Sequence, residues 1–108
     1  MLRTEFDNLI SREDVVGMHA IGRALVHLLN RQTADEQQIN DTRYHNERGF
    51  TPSDARRGSI TAKYYIKHKR LEDWQQDYWL QPNVKGCARI GKYYRQIAEE
   101  AAKRLTNT

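Results

Sequence analysis

Hydrophobic positions recur every three or four residues along most of the chain, which is the pattern of amphipathic α-helices. Alternation of β-branched and polar residues is scarce, and only two prolines interrupt the pattern. We therefore predict an all-α fold, a single small domain of about four helices. The predicted helices span approximately residues 12–31, 51–69, 71–80 and 88–105.

A polar segment over residues 32–50 separates the first two predicted helices, and we interpret it as a long surface loop. We expect one helical domain over residues 1–108, without internal repeats or low-complexity tracts. Its ends, residues 1–10 and 106–108, are expected to fray.

Capping residues mark two of the helix starts. Ser11 followed by Asp14 predicts the start of the first helix, with Ser11 as the N-cap. At the second helix, Thr51 suits the N-cap, Pro52 the first helical position and Asp54 the third helical position. We therefore expect the second helix to begin directly after Thr51.

Helical spacing also predicts which side chains form the core. Leu71, Trp74 and Tyr78 share one face of the third predicted helix, so Trp74 is expected to be buried. Trp79 lies on a different face, so at least one of the two tryptophans is expected to be partly exposed. The full set of expected core residues is Leu25, Leu29, Ile66, Trp74, Ile90 and Ile97.

Composition restricts the class of protein. The 108 residues suit one domain, and no apolar run approaches the roughly 18 residues of a membrane span. The first residues carry Glu5 and Asp7 without an apolar stretch, so we expect no secretory signal. Cys87 is the only cysteine, which excludes an internal disulfide and favours a reducing compartment. We expect a cytoplasmic protein with no membrane partner.

The net charge of +4 is concentrated in one part of the chain. Residues 1–50 hold six arginines against eight acids, whereas residues 51–95 hold ten lysines and arginines against four acids. Seven of the ten aromatic residues lie in that basic segment. Cations that contact phosphates, interleaved with rings that stack on bases, are typical of nucleic-acid binding.

Four cations of the second predicted helix fall within an arc of about 60°, away from its apolar face. These cations are Arg56, Lys63, Lys67 and Arg70, and we call them the basic stripe. No acid lies between Arg56 and Glu72, whereas an ordinary solvated helix face usually mixes both signs. Two interpretations remain open, a phosphate-binding stripe and a solvated outer face.

The second and third predicted helices resemble a helix-turn-helix in outline. However, Glu72, Asp73 and Asp77 would place acids where a recognition helix meets DNA, which argues against major-groove reading. Tyr64 and Trp79 are candidate aromatics for contact with a protein partner instead.

The chain lacks a recognisable catalytic or metal-binding motif. His19, His27, His45 and His68 have no ligand spacing, and Cys87 is more typical of a small packing residue than of a nucleophile. No phosphate-binding loop or zinc-protease motif is present. We therefore expect a protein that is not an enzyme and that uses no metal and no cofactor.

Eight short segments from residue 32 onward carry a family resemblance: Gln32–Gln37, Asn46–Phe50, Asp54–Ala55, Gly58–Ser59, Ala62–Tyr65, Asp73–Gln75, Trp79–Leu80 and Lys92–Ile97. In these segments the chain resembles small proteins of tailed phages and prophages. A looser similarity extends to accessory segments found beside phage-type helicases. Neither resemblance implies an activity, but both imply a mobile-element protein of a bacterial host, close to DNA metabolism or host defence.

Three functions follow as hypotheses. The first is a non-catalytic phage or prophage accessory protein that binds nucleic acid, DNA rather than RNA, through the basic stripe. The second is an anti-defence or regulatory protein that binds and inhibits a host protein. The third is a self-associating structural module, such as a homodimer.

Overall fold

The computed structural model describes residues 2–39, 49–82 and 86–106, without the side chains of 34–39 and 104–106. Within those ranges the chain is all-helical, as predicted, and its only β-type pairing is an isolated bridge between Pro82 and Ala88. The helices are α1 (Arg3–Ile10), α2 (Val15–Ile39), α3 (Ala55–His68), α4 (Asp73–Leu80), a 3-10 helix (Arg89–Tyr93) and α5 (Tyr94–Thr106).

The amino-terminal segment forms a helix, which corrects the expectation that residues 1–10 fray. Phe6 and Ile10 of α1 are buried, because their spacing of four residues places both on the side that faces the core. The Phe6 ring lies 5.8 Å from the Tyr94 ring, and the Arg3 guanidinium lies over the same tyrosine at 5.4 Å. The spacing of four residues between Phe6 and Ile10 is the sequence feature that could have predicted this helix. At the other end, residues 107–108 lie outside the described residues.

Helix α2 starts three residues later than expected and ends later as well. The Asp14 carboxylate accepts hydrogen bonds from the backbone N–H groups of Val16 and Gly17, at 3.1 and 3.3 Å. Asp14, rather than Ser11, therefore caps the helix. At its far end α2 runs to Ile39, so it takes in the first part of the predicted loop, whereas residues 40–48 lie outside the described ranges.

Helix α2 packs closely against α3 at Gly22, and Gly58 of α3 leaves room for the Phe50 ring, which precedes α3 in the chain. A Cβ atom on Gly22 would lie 2.3 Å from the Tyr65 ring, and one on Gly58 would lie 2.4 Å from the Phe50 ring. The buried face of α3 runs through Gly58, Thr61 and Ala62. The core prediction for Ile66 is wrong, since this residue lies beside that face and is 45% exposed.

The start of α3 also differs from the prediction. Residues 52–54 form a turn, in which the Asp54 N–H donates to the Thr51 carbonyl at 2.9 Å, and the helix begins at Ala55. The Thr51 hydroxyl contacts the Tyr93 hydroxyl at 3.1 Å instead of capping the helix. Asp54 is buried against the 3-10 helix, which replaces its predicted role as an N-terminal acid of α3.

Helix α4 is rotated about its axis relative to the prediction, so that a different face of the helix is buried. Trp79 is fully buried, whereas Trp74 is 66% exposed, so the predicted burial of Trp74 is wrong. One tryptophan is partly exposed as expected, and it is Trp74. The buried face is formed by Gln75 and Trp79, and it continues to Leu71 before the helix. Gln75 can occupy this face because its side-chain oxygen accepts the Glu72 N–H at 2.8 Å in a capping box.

The carboxy-terminal helix is divided into the 3-10 helix and α5, and Ile90 and Ile97 are buried as predicted. Arg31 of α2 is buried and connects to α5 through Glu99 at 2.9 Å and Glu100 at 2.7 Å. Of the remaining core predictions, Leu25 is fully buried, whereas Leu29 is only partly buried against the core.

Candidate nucleic-acid interface

The outer face of α3 presents three cations to solvent. Arg56, Lys63 and Lys67 are exposed, and none of them forms an ion pair within the described part of the chain. Their spacing of seven and four residues keeps them within an arc of about 40°. From Arg56 to Lys67 the helix rises about 17 Å.

The fourth member of the basic stripe lies off the helix. Helix α3 ends at His68, where Lys69 adopts a left-handed conformation with φ of 59° and caps the helix. Arg70 follows this reversal and pairs with Glu72 at 3.1 Å. The structure therefore keeps three of the four predicted cations together and turns Arg70 toward an acid.

A cleft of about 330 Å³ lies between α3 and α4. Two large apolar side chains at this cleft are solvent-exposed, Ile60 at 57% and Trp74 at 66%. The Arg57 and Arg89 guanidinium groups lie over the Tyr78 ring, 4.9 and 4.3 Å from its centre. The residues that line the cleft include Arg56, Arg57, Ile60, Trp74, Tyr78 and Trp79.

The acids of α4 lie on its other side. Asp73 and Asp77 line a separate groove of about 810 Å³ together with Asp7 and Glu13. Glu72 accepts a hydrogen bond from the Tyr64 hydroxyl at 2.7 Å in addition to its pair with Arg70. The predicted objection, that these acids would face phosphate, therefore does not apply to the cleft between α3 and α4.

The two candidate partner-facing aromatics are not free surface residues. Trp79 is fully buried, and its ring lies 6.0 Å from the Phe50 ring, which corrects its predicted position on a partner-facing surface. Tyr64 is half-buried, and its hydrogen bond to Glu72 raises the pKa of its phenol. The sequence interpretation missed the exposed pair Ile60 and Trp74.

An ionic cluster anchors the start of α3 beside this cleft. The buried Asp54 carboxylate accepts hydrogen bonds from the Tyr93 hydroxyl at 2.6 Å and from the Lys92 ammonium at 2.7 Å, and Arg89 lies 3.8 Å away. Burial raises the pKa of Asp54, but the hydrogen bonds from Lys92 and Tyr93 outweigh it, so the pKa is lowered overall. Burial and the hydrogen bond to Asp54 raise the pKa of Tyr93.

Arg89 also lies over the Tyr78 ring. The cluster therefore joins the first turn of α3 to the side of α4 that lines the cleft.

Three further features concern metal binding, membrane crossing and the single cysteine. In residues 2–39, 49–82 and 86–106, no group of three or more His, Cys, Asp or Glu side chains could hold a metal ion. None of the helices described there is both long and apolar enough to cross a membrane. Cys87 is exposed.

Comparison with known proteins found no matching protein-family model, no matching curated protein and no matching solved structure.

Proposed function

We propose that this protein binds nucleic acid through the outer face of α3 and acts as a non-catalytic accessory protein of phage or prophage origin. The observation that carries the proposal is a group of three exposed cations, Arg56, Lys63 and Lys67, beside a cleft with an exposed tryptophan. None of the three forms an ion pair within residues 2–39, 49–82 and 86–106. The phage context rests on the sequence resemblance alone.

The arrangement suits a phosphate backbone. Three cations on about 17 Å of one helix form a line, and no carboxylate on α3 neutralises it. Each phosphate contact releases condensed counterions, so binding weakens as salt rises. Three contacts predict a slope of log K against log salt of about −2 on single strands and about −3 on duplex DNA.

The test measures binding of fluorescein-labelled DNA by anisotropy across a salt series. Changing Lys63 and Lys67 together to Glu should nearly abolish binding and leave the helical content unchanged, because both side chains are exposed. The control changes Arg23 and Arg95 to Glu, which alters the net charge equally at exposed positions of α2 and α5. Equal DNA binding by the two double variants would overturn the proposal.

A second candidate, binding to a host protein, is favoured by Ile60 and Trp74. Tryptophan and arginine are enriched at the centres of protein interfaces, and this cleft contains both. Such a complex should survive nuclease treatment, depend weakly on salt and be lost in Trp74→Ala. Binding that nuclease removes would favour the first function instead.

A further inference from the structure

We propose that the cleft between α3 and α4 holds one unstacked base of single-stranded DNA, with the Trp74 indole as the stacking surface. The inference rests on the proposed function and specifies its ligand. Bases in a duplex are stacked on both faces, so a single strand offers a base to a side chain without the cost of unpairing and unstacking it first.

The availability of the Trp74 ring is the first argument. Tyr78 shares the cleft, but two guanidinium groups already lie over its ring, from Arg57 and Arg89. Trp74 has no ring contact and no hydrogen bond with any other described residue, and two thirds of its surface is exposed. Trp74 is therefore the aromatic surface that a base can reach.

The size and lining of the cleft are the second argument. Its volume of about 330 Å³ lies at the lower end of the range for small-ligand sites, which suits one base rather than a larger group. Ile60 and Trp74 give it apolar walls. Trp79, which is fully buried, closes the inner side of the cleft.

The distribution of charge is the third argument. Arg56 belongs both to the cleft and to the line of cations that continues through Lys63 and Lys67. A strand whose base enters the cleft can therefore place its neighbouring phosphates along α3. Asp73 and Asp77 line the opposite groove and do not oppose that path.

The experiment compares a labelled oligo(dT) strand with a DNA hairpin duplex of equal charge, at one salt concentration. The wild-type protein should prefer oligo(dT). Trp74→Ala should weaken oligo(dT) binding by about 5- to 150-fold, the range for loss of one stacked base. Its effect on the duplex should be less than about twofold, because phosphate contacts dominate duplex binding.

Two variants make the result specific. Trp74→Phe keeps an aromatic ring and should recover part of the affinity, and it should also lose the fluorescence quenching that oligo(dT) causes in the wild type. Ile66→Ala removes an exposed apolar side chain of α3 that does not line the cleft, and it should bind as the wild type does. Far-UV circular dichroism checks that each variant is folded.

The outcomes separate this inference from the proposed function. Unchanged oligo(dT) binding by Trp74→Ala, or a wild-type preference for the duplex, would overturn the base-binding cleft. The proposed function would still stand if binding kept its salt dependence and its need for Lys63 and Lys67. Failure to bind either DNA would overturn both.

Discussion

The two tryptophans of α4 allow a direct test of the rotation of this helix, on which the cleft depends. Trp79 is fully buried and packs beside Phe50 and Tyr78. Replacing a buried tryptophan by alanine removes its transfer free energy and leaves a cavity, which together cost about 3–5 kcal/mol. Domains are typically stable by roughly 5–15 kcal/mol, so Trp79→Ala should remove between a fifth and all of the free energy of unfolding.

Trp74 should behave differently, because only about a third of its surface is buried. A tryptophan side chain has up to about 250 Å² of surface, so roughly 85 Å² is removed from water at this position. At about 25 cal/mol per Å² this burial contributes at most about 2 kcal/mol. Alanine keeps part of that area and favours the helix, which lowers the cost of Trp74→Ala further.

Urea denaturation followed by far-UV circular dichroism measures both changes without relying on tryptophan emission. The free energy of unfolding should fall much more for Trp79→Ala than for Trp74→Ala. Trp79→Phe supplies a value if the alanine variant is unfolded, and its loss should be softened because the unsatisfied indole N–H disappears as well. A larger loss for Trp74→Ala than for Trp79→Ala would show that α4 is rotated the other way, and the cleft would not exist as described.

Two further predictions concern the buried carboxylates. Asp54→Asn should lower the free energy of unfolding by about 1.5–3 kcal/mol, because Lys92 and Arg89 lose the negative charge that they face. The control Asp77→Asn, at an exposed position of α4, should change the free energy of unfolding little. Folding lowers the pKa of Asp54 and the pKa of Glu100. Their contribution to the free energy of unfolding is therefore fully present above the unfolded-state pKa of about 4. It is lost as the pH falls through the lower pKa values of the folded state. The urea concentration at which half of the protein is unfolded should decrease from pH 6 to pH 2. The decrease should be less steep in Asp54→Asn. A midpoint that does not change with pH would contradict the lowered pKa values of both Asp54 and Glu100.

Apolar periodicity was sufficient to predict the fold class and half of the proposed core residues. Leu25 on α2 and Ile90 and Ile97 near the carboxy terminus occupy long amphipathic patterns, and all three are buried. The basic stripe was also largely predictable, because three of its residues lie on one regular helix. Arg70 could not be placed in this way, since the left-handed Lys69 ends the helix before it.

The rotation of α4 could not be predicted from apolar residues alone. With only eight residues, this helix allows two apolar faces, one through Trp74 and one through Trp79. The polar residue Gln75 lies on the second face. The Glu72–Gln75 capping box lets this side chain lie in the core, because its oxygen accepts the Glu72 N–H at 2.8 Å.

The candidate site depends on contacts between distant parts of the chain, which no local pattern records. Asp54 was interpreted as an acid of the first turn of α3, but its partners come from the 3-10 helix about 40 residues later. Arg89 lies within 3.8 Å of Asp54 and also over the Tyr78 ring, so one side chain connects the start of α3 to the cleft. The cluster therefore links the start of α3 to the face of α4 that carries Tyr78, beside the cleft at which Trp74 is exposed.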